Sequence, residues 1–104
     1  MMDTENVAGS APEILMAGHF EPHVGKVFTI DESAVRLVLQ SVEKFKINPG
    51  FRTPFCLIFA APPGNVLREG LYRAQPEGGD VFQLHIAPMQ TAASDRQEYQ
   101  AMFN

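Results

Sequence analysis

No tryptophan occurs among the 104 residues, and there is a single cysteine, Cys56. One thiol excludes an internal disulfide, so nothing covalent staples the fold; a lone thiol inside an apolar run fits a reducing compartment. Positive charge is scarce too. Eight Lys and Arg stand against twelve Asp and Glu, giving a formal net charge of −4 and a pI near 5.2. The basic residues are scattered, and their densest stretch, Glu43-Lys44-Phe45-Lys46, holds only two. Nucleic-acid binding needs a basic face to offset phosphate repulsion, so no nucleic-acid partner is expected. Long apolar runs are missing as well. The strongest, residues 55–62, is far too short to cross a bilayer, so no membrane partner is expected. The opening Met1-Met2-Asp3-Thr4-Glu5 is acidic, with neither a basic n-region nor an apolar h-region. It does not read as a signal peptide, and a cytoplasmic location is the expectation.

What is present describes a small globular unit. Hydrophobic residues make up 45% and charged residues 19%, a balance that supports a packed core rather than disorder. Eight Phe predict a core of Phe, Leu, Ile and Val. The length fits one domain. Residues 1–11 are small and polar and read as a disordered leader; residues 12–104 read as a single β domain.

Local patterning alternates with period two along most of the chain. In residues 12–24 the spacing of Met16, Phe20 and Val24 predicts one or two helical turns, with Pro22 near a helix start. Phe28 and Ile30 then alternate with polar neighbours, as in a half-buried strand. Val35, Leu37 and Leu39 form one face of a longer strand. The apolar phase slips after Gln40, which predicts a bulge. Phe55, Leu57 and Phe59 make the clearest inward row. Cys56, Ile58 and Ala60 behind them are apolar too, so this strand is expected to be covered on both faces. Pro62-Pro63-Gly64-Asn65 and Pro76-Glu77-Gly78-Gly79-Asp80 are turns. Phe82, Leu84 and Ile86 form another row, and Tyr99, Ala101 and Phe103 the last. The apolar ending from Tyr99 to Phe103 is expected to dock as a closing strand. The fold class is therefore all-β: a small antiparallel barrel or sandwich of about six strands with a short N-terminal helix.

The segment Phe20-Glu21-Pro22-His23-Val24-Gly25 and the following Phe28 open a longer pattern. It continues through Pro54-Phe55-Cys56-Leu57-Ile58-Phe59, Pro62-Pro63-Gly64, Leu67, Gly70 and Tyr72-Arg73. Leu84-His85-Ile86-Ala87-Pro88-Met89 and Tyr99-Gln100-Ala101-Met102-Phe103-Asn104 complete it. Over residues 18–104 this order resembles a family of small uncharacterised bacterial all-β domains often found near phage-tail-collar-like proteins. The resemblance implies a structural or assembly accessory role and carries over no catalytic residue. The chain departs from the family pattern at Gln75-Pro76, where many members have His, and at His85, where an aromatic is usual.

The reactive side chains admit plain readings. His19 and His23 stand four apart and would share a helix face, so that with Glu21 and His85 a metal site can be drawn. Surface or boundary histidines account for them as well. Cys56 lies mid-strand between Phe55 and Leu57, without the Gly-rich elbow or helix N-terminus that lowers a thiol pKa, and reads as buried and inert. The carboxylates are spread over turns and strand edges and show no converging pair. Gly64, Gly70, Gly78 and Gly79 form no phosphate loop and read as turn residues. No catalytic, metal or cofactor-binding residue and no cofactor is therefore expected. The best interaction candidate is the loop Pro62, Pro63, Gly64, Asn65, Val66 and Leu67, whose tip would expose Val66, with Leu67 exposed beside it or, in the plainer reading, an ordinary tight turn with its apolar residue folded back.

The expected function is a non-enzymatic structural or accessory module that binds a protein partner or forms a homo-oligomer. Its physical basis is an open sheet edge, which either pairs with a partner or is blunted by charge, here Arg68-Glu69. A small-molecule-binding β-barrel is the alternative, with a ligand in the mouth between residues 62–67 and 91–96. A small metal-dependent hydrolase using His19, His23 and His85 is a third reading.

Overall fold

The computed structural model describes residues 15–46, 53–64, 66–90 and 95–103. The expected leader at 1–11, the turn at 47–50, Asn65 and residues 91–94 of the polar loop lie outside the described residues. Six strands are described: β1 Val27–Ile30, β2 Arg36–Lys44, β3 Phe55–Ala61, β4 Gly70–Pro76, β5 Phe82–Pro88 and β6 Gln97–Phe103. All pairings are antiparallel. The ring order is β1-β2-β3-β6-β5-β4, and β1 returns to β4 to close a barrel. Closure overturns the expectation of an open sheet edge: β1 pairs with both β2 and β4, and β6 lies between β3 and β5. In a ring each strand has a neighbour on both sides, so no whole strand edge is left as a docking template.

The alternation read from the sequence sets the inside. Phe28, Ile30, Leu37, Leu39, Phe55, Leu57, Phe59, Ala74, Phe82, Leu84, Ile86, Tyr99 and Ala101 are all buried in one cluster. The β2–β3 register shifts between Leu39 and Ser41, so Gln40 is the extra residue of a bulge. The shift turns Val42 back against the core, where an unbroken period of two would have pointed it outward. On the outer face of β3, Cys56 and Ala60 are buried without a second layer described over them. Their cross-strand neighbours account for this: Glu43 and Met102 flank Cys56, and Val38 and Glu98 flank Ala60. Longer side chains on either side shield short ones between them.

Both ends of the barrel are stoppered by the chain. The short N-terminal helix consists of two successive 3-10 turns, Ala17–His19 and Glu21–His23. Pro22 sits in the first turn of the second, where its missing N–H costs nothing. The expected face of Met16, Phe20 and Val24 is split by this geometry: Phe20 is fully buried, while Met16 and Val24 are 51% and 45% exposed. Phe20 enters the end where β3 and β5 begin and β6 finishes. Its ring centroid lies 4.6 Å from Phe82, 5.6 Å from Phe103 and 5.9 Å from Phe55. There the wall is least tightly laddered, because β5 and β6 pair only at Ala87↔Gln100 and Pro88↔Tyr99 among the described residues.

The other end is closed by topology. In the ring order β3 and β4 stand opposite each other, with two strands between them on either side. The connection between them, described at 62–64 and 66–69, therefore lies over the barrel mouth. It drops Leu67 into that mouth, where the side chain joins the core cluster.

Candidate interaction surface

The crossing loop is the site the sequence singles out, and the structure divides it. Pro62, Pro63 and Gly64 are exposed. Gly64 has φ of 124°, a backbone conformation that suits glycine. Val66 is 52% exposed, as expected, whereas Leu67 is only 7% exposed. Leu67 is thus folded back, as the plainer reading of this loop has it: the barrel mouth offers it an apolar seat, and its backbone N–H donates to Tyr99 Oη at 2.9 Å. Beside the loop, Tyr72 donates its hydroxyl to the Arg68 carbonyl at 2.6 Å, which ties the end of the crossing to β4. A shallow depression lies between Val35 and Arg36 on one side and Ala61, Pro62 and Pro63 on the other.

A second exposed feature adjoins this rim and escaped the sequence reading. Leu71 on β4 is 62% exposed, and Arg73 is exposed two residues on. Tyr72, Ala74 and Pro76 take the inward side of β4, Tyr72 partly and the other two fully buried. From Leu71-Tyr72-Arg73 alone either phase is possible, since two adjacent residues are large and apolar. The small Ala74 and the strand-ending Pro76 were the available signal. Glu69 shares this outer face, with its Oε2 3.3 Å from Nε2 of His85, the residue directly across from Leu71. A groove beside Leu71 and Arg73 is lined by Asp31, Glu32 and Gln83.

The three histidines do not come together. His19 accepts the Met16 N–H on Nδ1 at 2.9 Å, His23 lies edge-on to Phe28 and Phe82, and His85 stands on β5 beside Glu69. Among the described residues no three His, Cys, Asp or Glu side chains gather as a metal cluster. Cys56 is buried, and its thiol donates to the Leu57 carbonyl at 3.7 Å. Burial pushes the thiol above its ordinary value and nearby Glu43 adds to the shift, against a backbone hydrogen bond from Ala101. Such a thiol is a poor nucleophile at neutral pH. Among the described residues, no helix is long and apolar enough to cross a membrane.

These features define a small closed antiparallel barrel whose interior is side chain, with exposed Val66 and Leu71 at the end crossed by the loop and exposed Met16, Val24, Phe45 and Met102 toward the other. The chain belongs to the family described as Domain of unknown function (DUF6916), whose model matches residues 15–103. No curated protein and no solved structure matches it.

Proposed function

We propose that this domain is a non-enzymatic accessory module that binds protein, in the phage-tail-like or surface-assembly setting that its bacterial family resemblance implies. The observation that supports this most is the filled barrel. Phe20 occupies one end, Leu67 the other, and Phe28, Phe55, Phe59 and Tyr99 fill the space between them at 1% exposure or less. A ligand-binding barrel of this size needs a lumen or an open mouth. Here the mouth proposed for a ligand is taken by Leu67 and Tyr99, which favours protein binding over the small-molecule alternative. Exposed Val66 and Leu71 stand on the rim that the crossing loop builds, and loops on a rigid scaffold are suited to recognition. With the ring closed, recognition through side chains on this rim is favoured over addition of a strand to a sheet edge.

The test is co-expression with each protein encoded beside this one, followed by size-exclusion chromatography of the pairs. A stoichiometric complex that is lost on Val66→Asp or Leu71→Asp supports the reading. Failure to bind any neighbour, together with strict monomeric behaviour, overturns it.

A further inference from the structure

The outer face of β4 presents Glu69, Leu71 and Arg73 in a row, an acid, a leucine and a base at alternate positions. Glu69 immediately precedes the strand and Gly70 begins it. The contact of Glu69 with His85, which is paired directly across from Leu71, fixes the acid on the same side as the leucine. Arg73 is exposed and makes no ion pair among the described residues. Arg73 follows Leu71 by roughly 6.8 Å along the strand, and Glu69 stands on the other side of Leu71, at the bend where the chain enters β4.

That row is its own complement. A two-fold axis through Leu71 and perpendicular to β4 reverses the strand direction. It sets Leu71 against Leu71 of the other copy, Glu69 against its Arg73, and Arg73 against its Glu69. Isologous interfaces require this property: one patch must satisfy itself after rotation by half a turn. From this charge complementarity about an exposed leucine we infer that the β4 face is a homodimer interface, and that the partner seated on it is a second copy of this chain.

The inference rests on the protein-binding reading above and gives that reading a partner. A convex barrel wall offers less contact than the roughly 1,200–2,000 Å² buried in specific stable complexes, so the dimer is a weak one, populated at high protein concentration. Its charge pairs lie at a solvated rim, where their main effect is to select register and partner.

The experiment is light scattering and sedimentation equilibrium of the full chain over a wide concentration range, with circular dichroism to confirm folding of each variant. The mass is expected to rise from 11.5 kDa toward twice that value. Leu71→Asp weakens self-association at least tenfold. Glu69→Arg alone and Arg73→Glu alone each weaken it, because each sets like charges across the axis. The double variant Glu69→Arg with Arg73→Glu recovers the dimer, and so does an equimolar mixture of the two single variants, as a heterodimer. A chain that stays monomeric at every concentration overturns the inference while leaving the neighbour-binding test to decide the broader reading. A dimer indifferent to Leu71→Asp and to the charge exchanges also overturns it, since another surface would then be in use.

Discussion

Leu67 and Tyr99 are joined across the barrel mouth, the backbone N–H of one donating to the phenol oxygen of the other at 2.9 Å. The bond ties a loop that must cross the mouth to a strand in the wall. It also explains why a tyrosine occupies a fully buried position in the closing strand. A buried tyrosine needs a partner for its hydroxyl, and a buried loop N–H needs an acceptor.

Tyr99→Phe removes the acceptor and leaves the N–H of Leu67 unsatisfied. Losing one member of a buried hydrogen-bonded pair costs about 1–3 kcal/mol. Chemical denaturation should show a loss in that range. Hydrogen exchange should show the Leu67 amide losing protection by more than the global loss of stability accounts for. An unchanged Leu67 amide would mean that packing alone holds the loop.

Phe20 plugs the opposite end and is the one member of its expected helical face that does so. Phe20→Ala removes a fully buried ring, which typically costs about 3–5 kcal/mol. Met16→Ala and Val24→Ala remove exposed side chains from the same segment and should stay within about 0.5 kcal/mol. Thermal or urea unfolding of the three variants checks this. Similar losses for all three would mean that the segment docks as a continuous helix.

Much of this barrel is legible in the sequence because alternation is a local property. Phe55, Leu57, Phe59, Phe82, Leu84 and Ile86 announce their faces without reference to anything distant, and the slip after Gln40 announces its bulge. Strand order is different. Nothing local says that β6 inserts between β3 and β5, and that insertion is what sets β3 opposite β4 and sends residues 62–69 across the mouth. Leu67 therefore reads from sequence only as a loop residue, exposed or folded back, and becomes a stopper in the fold. The β4 face was hidden for a related reason: the phase of Leu71-Tyr72-Arg73 is decided by which side chain the barrel admits, and the barrel admits Tyr72 in part because its hydroxyl reaches the Arg68 carbonyl.

The turn between β1 and β2 holds Glu32 at φ of 58°, the one non-glycine residue with positive φ among the described residues. Ser33 donates its N–H to the Ile30 carbonyl at 3.1 Å, so Glu32 is the third residue of a tight turn. That position demands a left-handed backbone, which costs a residue with a Cβ roughly 1–2 kcal/mol. Glu32→Gly relieves the cost but returns part of it as chain entropy in the unfolded state. A net gain of about 0.5–1 kcal/mol is expected from the unfolding midpoint. Glu32→Ala keeps the Cβ and should give no such gain.

His23 links the Phe20 segment to solution pH. Its Nδ1 is buried with no hydrogen-bond partner, and its ring lies edge-on to Phe28 at 6.2 Å and to Phe82 at 6.1 Å. A Cβ on Gly79 would come within 3.0 Å of its Cε1, so the β4–β5 turn closes over the ring as well. Burial lowers the imidazole pKa from its ordinary 6.5, Lys26 lowers it further, and Asp80 opposes them. The sign follows from linkage. The unfolded chain takes up the proton more readily than the folded one, so the contribution is fully present above the unfolded value. It is lost as the pH falls from about 6.5 through the lower folded value. The melting temperature of the native chain should therefore fall more steeply between neutral pH and pH 5 than that of His23→Gln, which cannot titrate. His19 and His85 are present in both proteins, so the difference between the two curves isolates His23. Parallel curves would show that the imidazole charges freely in place, and that neither the buried Nδ1 nor the ring contacts oppose its protonation.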